Sequence, residues 1–111
     1  MKKFMALYMA PAAAIEKMMK ATPEEMKEGM AVWKAWSDEY ADDIVEGGTP
    51  LGKTMRVTAD GAADAHNEVT GYTIVQGESH SDVARLFDGH PYLETPGAYI
   101  DILECVNMPG M

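Results

Sequence analysis

The sequence predicts an α+β fold in which four antiparallel strands form one sheet and two helices cover one of its faces. Three observations predict it: apolar, strand-like segments at the start, middle and end of the chain, two capped helical segments between them, and turn residues that separate the middle strands. The resulting order is β-α-β-β-α-β, the split βαβ or ferredoxin-like arrangement. With 111 residues, the chain is expected to form a single domain over residues 1–111.

The first predicted strand is Phe4 to Met9, and it is apolar on both alternating sets of residues. A strand of this kind is covered on both faces of its sheet. The opening MKKFMALYMAPAAA is also similar to a short signal peptide, but Tyr8 and Pro11 interrupt its apolar run. We therefore favour a buried strand, followed by a short Ala/Met-rich helix from about Ala12 to Lys20.

The segment TPEEMKEGM predicts the start of a long amphipathic helix that ends near Asp42 or Asp43. Thr22 is its N-cap, Pro23 suits the first helical position, and Glu25 completes a capping box. The residues at helical spacing along its apolar stripe are Met26, Met30, Trp33, Ser37, Tyr40 and Ile44. Core packing is the favoured interpretation of the two methionines and Trp33, with a pocket wall for a flat apolar ligand as the alternative.

The second half of the chain predicts three strands and one more helix. VEGGTPLG reads as a turn, Thr54–Thr58 alternates as a half-exposed strand, and ADG begins the reversal into EVTGYTIVQG (68–77). Ser79 is expected to cap a two-turn helix closed by Gly89. The last strand, Ala98 to Val106, is rich in β-branched and aromatic residues.

The two helices cover only one face of such a sheet, although its strands carry apolar residues on both. Leaving the second face in water would expose a larger apolar patch than a monomer usually tolerates. Pairing of this face with a second copy through a two-fold axis buries it economically. The sequence therefore predicts a homodimer.

Charge and composition exclude several classes of partner and site. Eighteen acidic against nine basic residues give a net charge of −9, which disfavours nucleic acid and anionic membrane as partners. The chain's one cysteine, Cys105, cannot form an intrachain disulfide, and this suits a reducing cytoplasmic location. No metal-ligand spacing is present, so neither a metal nor another cofactor is expected. Cys105 is predicted to lie in a buried strand and to be unreactive.

The turn GGTPL and the segment HPYLETPGAYIDILE resemble the YCII-related proteins, close to their DGPF branch. The resemblance covers most of the chain and implies the dimeric α+β-barrel version of the ferredoxin-like fold. In that family the His-Pro step and an acidic residue of the last strand line a pocket between sheet and helices. His90, Pro91 and Asp101 are the matching positions here. Related barrels include cofactor-free oxygenases and a dehydrochlorinase that act on small aromatic rings.

Two departures from the family pattern limit this resemblance. The Asp-Gly-Pro-Phe motif is reduced to Asp60-Gly61. The YCII branch also has a histidine in its first helix, whereas this chain has no histidine before His66. The remaining candidates for acid–base catalysis are His90 and Asp101, which we expect to converge at the rim of a cleft. The competing interpretation of His90 is a cation at a helix C-terminus.

Aromatic side chains are the candidates for ligand binding. Tyr8 and Tyr72 lie on strands that should be neighbours, and each combines a ring with a hydroxyl group. Trp36 lies beside the apolar stripe of the long helix, where it is expected to border a cleft or the dimer interface.

These observations predict a small cytoplasmic homodimer with a pocket for a small apolar or aromatic molecule. Any catalysis is expected to use His90 and Asp101 without a cofactor. The alternatives are a non-catalytic ligand-binding or regulatory module of the same fold, and a pure interaction domain whose sheet makes the dimer. The missing helix histidine favours the ligand-binding module over the enzyme.

Overall fold

The computed structural model describes residues 1–109. Its strands are β1 (Lys2–Met9), β2 (Ile44–Glu46), β3 (Thr54–Thr58), β4 (Gly61–Ala65), β5 (Val69–Gly77) and β6 (Tyr99–Glu104). Its helices are α1 (Ala12–Met19), α2 (Pro23–Glu39) and α3 (His80–Leu86), with 3-10 turns at Ala41–Asp43 and Pro91–Glu94.

The main sheet has four antiparallel strands in the order β2-β5-β1-β6. Alternate residues of the central strand β1, namely Phe4, Ala6 and Tyr8, are buried, and they form one cluster with residues of all three helices. The helices therefore lie on the same face of the sheet. The predicted α+β, ferredoxin-like fold class is confirmed, with two central strands, β1 and β5, that are adjacent as expected.

The identity of one edge strand differs from the prediction. Thr54–Thr58 does not join the main sheet; it pairs with Gly61–Ala65 in a separate two-stranded hairpin. The edge position is taken by Ile44–Glu46. The sequence placed Ile44 on the stripe of the long helix and the next two residues in the turn VEGGTPLG. Three residues are too few to show the alternation by which a strand is detected. The backbone of β3 pairs locally, with the strand that follows the Asp60-Gly61 reversal.

Both predicted helix starts are present. The Thr22 hydroxyl accepts a hydrogen bond from the backbone N–H of Glu25 at 3.1 Å, and the Ser79 hydroxyl accepts one from the N–H of Asp82 at 3.2 Å. Pro23 occupies the first helical position of α2, as expected. Each cap supplies an acceptor to a backbone donor that has no partner within its helix.

The side of α2 that enters the core is not the predicted one. Trp36 is 7% exposed, and its indole Nε1–H donates to the Leu86 carbonyl at 2.8 Å. Met26 and Met30, assigned to the core from their spacing, are 50% and 73% exposed. Trp33 is half-buried at the edge of the core. Helical spacing shows which residues share a face but leaves open which face meets the sheet.

The sheet face away from the helices, here called the open face, carries side chains from alternate strand positions. On β6 these are Tyr99, Asp101 and Leu103, all exposed, whereas Ile100 and Ile102 pack towards the core. Cys105, predicted to be buried in this strand, follows its last residue and is exposed. Among residues 1–109, no helix is both long and apolar enough to cross a membrane.

Candidate functional site

A cavity of about 700 Å³ lies between α2 and the carboxyl end of β1. Its walls come from α1, α2, the loop after β2, the start of β5 and the 3-10 turn that follows α3. The lining residues that bear on its chemistry are Tyr8, Met30, Trp33, Thr70 and Tyr92, with Gly29, Gly48 and Gly71 where the backbone is exposed to it.

The helical wall of the cavity is the apolar stripe that the sequence predicted for the core. Met26, Met30, Trp33 and Ser37 all line the cavity. The stripe therefore lies where its alternative interpretation, a pocket wall, placed it. Gly29 lies on the same stripe, and a Cβ atom built on it would meet no atom within 4 Å. This residue leaves the middle of the helical wall open.

The opposite rim is the loop from Gly47 to Pro50, which is held against β5. The backbone N–H of Leu51 donates to the Thr70 carbonyl at 2.9 Å, and Pro50 forms a β-bridge with Gly71. Gly48 has a φ of 74°, and a Cβ atom there would collide with the Tyr72 carbonyl oxygen. Only glycine suits both the conformation and the close approach.

Two short hydrogen-bond chains connect the cavity's buried tyrosines to the backbone. The Tyr8 hydroxyl lies 2.7 Å from Thr73 Oγ1, which donates to the Gly47 carbonyl at 3.2 Å. The Tyr92 hydroxyl lies 2.6 Å from Thr70 Oγ1, which donates to the Tyr8 carbonyl at 2.9 Å. The two tyrosine rings are neighbours, with centroids 5.3 Å apart.

Burial keeps both hydroxyls protonated. It raises the pKa of Tyr8 to about 12, although the hydrogen bond with Thr73 acts in the opposite direction. Burial also raises the pKa of Tyr92, again against the effect of its hydrogen bond with Thr70. Loss of a proton would leave a phenolate charge in a poorly solvated site, so both groups are neutral at neutral pH.

His90 lies behind the cavity wall and is only 1% exposed. Its Nδ1 atom accepts a hydrogen bond from the backbone N–H of Tyr92 at 3.0 Å, which caps the 3-10 turn and assigns the proton of the neutral ring to Nε2. The ring meets those of Trp33 and Trp36 edge to face, at centroid distances of 4.6 and 4.5 Å. Among residues 1–109, the buried Nε2 atom has no hydrogen-bond partner.

This environment bears on both sequence-based interpretations of His90, as an acid–base catalyst and as a cation at a helix C-terminus. Burial lowers its pKa to about 4, so the ring is neutral at neutral pH and does not act as a cation at the end of α3. His90 is a capping residue, but it caps the 3-10 turn that follows it and not the end of α3. Through that cap it holds Tyr92, which does line the cavity.

The expected convergence of His90 and Asp101 is wrong. Asp101 pairs with Leu7 across the sheet, and the side chains of such a pair share one face, the open face. The neighbouring residue Tyr8 points to the other face, where its ring lies 5.3 Å from that of His90. The sheet therefore separates the two groups. The length of the connecting loop allowed them to meet, but strand register placed the carboxylate on the opposite side.

The predicted ligand-binding residues are also divided between places. Tyr8 lines the cavity, as expected for a pocket residue. Tyr72 borders the cavity too, but it pairs with Leu7, so its side chain lies on the open face, and its hydroxyl donates to Glu46 at 3.3 Å. Trp36, expected at a cleft or at the dimer interface, is part of the core beside Phe87. Tyr8 and Tyr72 lie on adjacent strands, but at neighbouring positions of the strand register. Because successive residues of a strand point to opposite faces of the sheet, the two side chains lie on opposite faces.

Sequence reasoning missed Tyr92, Thr70 and Gly29. Tyr92 follows the His-Pro step by one residue, and Gly29 interrupts a helix on the very stripe that was assigned to the core. A glycine in the middle of a helix is unfavourable without a packing or functional reason, so Gly29 was the signal available in the sequence.

The fold of the chain is similar to that of a solved enzyme. The structure of 5-chloro-2-hydroxyhydroquinone dehydrochlorinase from Burkholderia phenoliruptrix, in complex with 2,5-dihydroxybenzoquinone, superposes with a TM-score of 0.57. The alignment covers 97% of this chain and 96% of the enzyme at 13% sequence identity. The two proteins share a fold. No family model matches the sequence, and no curated protein matches it.

Proposed function

We propose that this protein binds a small, largely apolar, ring-shaped molecule in the cavity beside Tyr8 and Tyr92. The observation that carries the proposal is the composition of the walls: methionine and aromatic side chains with two buried hydroxyls. Sites for small ligands are mostly apolar and contain a few well-placed polar groups. The volume of about 700 Å³ is within the range of roughly 300–1,000 Å³ that such sites occupy.

Binding without turnover is the form of the proposal that the geometry favours. A general base needs a free nitrogen near its substrate, yet Nδ1 of His90 is used by the Tyr92 amide and Nε2 carries the proton. We propose that His90 positions Tyr92 and does not touch the ligand. The dehydrochlorinase of the same fold carries a benzoquinone, which supports a ring-shaped ligand here.

We further propose that the chain is a YCII-related homodimer. The order of its elements and the overlap of nearly the whole chain with a solved enzyme of the same fold support this proposal. The open face supports a second copy, because Leu103 is 47% exposed there and lies opposite Met5 of the neighbouring strand. The hairpin formed by β3 and β4 also exposes Met55 and Val57, and an isolated two-stranded hairpin is marginally stable in water.

A pair of variants tests the binding site. Gly29→Phe places a ring where the cavity is open, whereas Ala31→Phe adds the same ring to an exposed position of the same helix outside the cavity lining. A panel of small aromatic compounds should give ligand-dependent NMR shifts in the native protein and in Ala31→Phe, and these should be lost in Gly29→Phe. Equal binding by the two variants would place the ligand elsewhere and contradict the proposal.

A further inference from the structure

The hydroxyl protons of the cavity's two buried tyrosines are already donated in hydrogen bonds within the protein. Thr73 Oγ1 donates its proton to the Gly47 carbonyl, so in its contact with Tyr8 the tyrosine must be the donor. A hydroxyl group has one proton and two acceptor lone pairs. The Tyr8 hydroxyl therefore retains only acceptor capacity.

The same argument applies to Tyr92. Thr70 Oγ1 donates its proton to the Tyr8 carbonyl, so the Tyr92 hydroxyl donates to Thr70. Each chain ends on a backbone carbonyl, which cannot donate. Reversing either chain would break the threonine's hydrogen bond to a backbone carbonyl, that of Gly47 in the first chain and that of the buried residue Tyr8 in the second.

We infer that the cavity selects ligands that carry hydrogen-bond donors, such as neutral phenols, over ligands of the same shape that offer only acceptors. This inference rests on the proposed binding function and names its ligand class. Tyr8 and Tyr92 act as specificity-determining acceptors. A phenol-like hydroxyl donates to either tyrosine oxygen, whereas an ether or carbonyl oxygen placed there meets another acceptor.

The absence of charge on both tyrosines supports the same preference. Burial raises the pKa of each hydroxyl, so a ligand meets a neutral oxygen and not a phenolate. Neutral acceptors surrounded by apolar walls bind neutral donors without the desolvation penalty of burying an ion.

A series of three ring compounds tests the inference: resorcinol, 3-methoxyphenol and 1,3-dimethoxybenzene, which offer two, one and no donors on the same ring. The cavity volume of about 700 Å³ leaves room for the added methyl groups, so steric exclusion does not mimic the expected trend. We expect Kd, measured by NMR titration, to rise about three- to tenfold for each donor lost, the usual net contribution of one hydrogen bond.

Two variants and one control assign the trend to the tyrosines. Tyr8→Phe and Tyr92→Phe each remove one acceptor and leave the threonine's own bond to a backbone carbonyl in place, so both should fold. Each should reduce the advantage of resorcinol over 1,3-dimethoxybenzene. Tyr99→Phe is the control, because Tyr99 does not line the cavity and its hydroxyl lies on the open face beside Glu68, so the ratio should not change.

The outcomes separate this inference from the proposed function. Binding of all three compounds with equal Kd, unchanged in Tyr8→Phe and Tyr92→Phe, would overturn the donor preference and leave the cavity as a binding site. Failure of every compound to bind, with no difference between the native protein and Gly29→Phe, would overturn the binding site and the preference together.

Discussion

His90 is a buried, neutral histidine that holds the backbone of Tyr92 with one ring nitrogen and places the other among aromatic rings. A histidine in this position links protonation to folding, because the charged ring would have to leave its apolar surroundings or disrupt them. The same residue supports the cavity, since Tyr92 contributes one of its two buried tyrosine hydroxyls.

Stability should depend on pH through His90. Its pKa is about 4 in the folded protein and 6.5 when exposed, so the unfolded chain takes up the proton first as pH falls. The neutral His90 makes its full contribution to the free energy of unfolding above about pH 6.5. This contribution is lost between pH 6.5 and about 4, to a total on the order of 3 kcal/mol. Urea unfolding of the native protein and His90→Phe at several pH values measures it.

The difference in unfolding free energy between these two proteins should change across that pH range. His66→Gln is the control, since it replaces a histidine that is exposed in a loop. A His90→Phe variant with the same pH dependence as the native protein would show that His90 is not buried as described.

Gly29 and Gly48 should respond to alanine in opposite directions. Gly29 lies within α2 with open space around its Cβ position, so Gly29→Ala should stabilise the protein by about 0.5–1 kcal/mol. Gly48 has a positive φ and no room beside the Tyr72 carbonyl, so Gly48→Ala should destabilise it by at least about 1 kcal/mol. Thermal unfolding of both variants measures the difference. A loss of stability in Gly29→Ala would mean that the helical wall is closed.

At the scale of the elements, α2 divides its sides between the core and the cavity. Trp36 enters the core beside Phe87, and Met30 lines the cavity with most of its surface exposed. The start of the helix is set locally by the Thr22 cap and Pro23. The division predicts that substitutions along the helix differ in their effect on stability.

Trp36→Ala should cost about 3–5 kcal/mol, because it opens a cavity in the core and removes the hydrogen bond to the Leu86 carbonyl. Met30→Ala should change stability by no more than about 0.5 kcal/mol, as for other exposed positions. Denaturant unfolding compares the two. A large loss in Met30→Ala would restore the core assignment made from the spacing of the stripe.

Thr22→Ala should cost about 1 kcal/mol through loss of the hydroxyl that accepts from the Glu25 N–H. Thr22→Ser is the matched control, since it retains the hydroxyl and should retain most of the stability. Chemical denaturation of both variants decides between capping and another role of the threonine, because equal losses would exclude the cap as the cause.

At the scale of the whole molecule, exposed apolar side chains lie on the open face of the sheet and on the β3–β4 hairpin, as well as on the helices α1 and α2. Val57 is 77% exposed on that hairpin, and Leu103 is exposed on the edge strand β6. A second copy related by a two-fold axis would bury the open face of both subunits.

We expect the protein to sediment as a dimer at micromolar concentration, since removal of the open face from water favours association. Leu103→Lys places a charge on that face and should shift the equilibrium towards monomer. Val32→Lys adds the same charge to an exposed position of α2, on the helical side, and should not. A folded native monomer at this concentration would contradict the dimer and the role of the open face.

The sequence by itself determined the fold class, both helix caps and the alternation of the central strands. These features depend on neighbours in the chain: a hydroxyl three residues before an N–H, as at Thr22, or the period of a strand, as in Phe4, Ala6 and Tyr8. The presence of a ring-lined pocket was anticipated as well, through Tyr8 and the alternative interpretation of the methionine stripe.

Only the tertiary structure decided which face each element presents and which strand occupies the sheet edge. Periodicity shows that Met26 and Met30 share a side of α2, but the docking of the helix determines that Trp36 enters the core and the methionines line a cavity. The separation of His90 from Asp101 has the same cause, because strand register assigns a side chain to one face of the sheet whatever its distance along the chain. Local sequence encodes periods and caps, whereas register and docking depend on residues far apart in the chain.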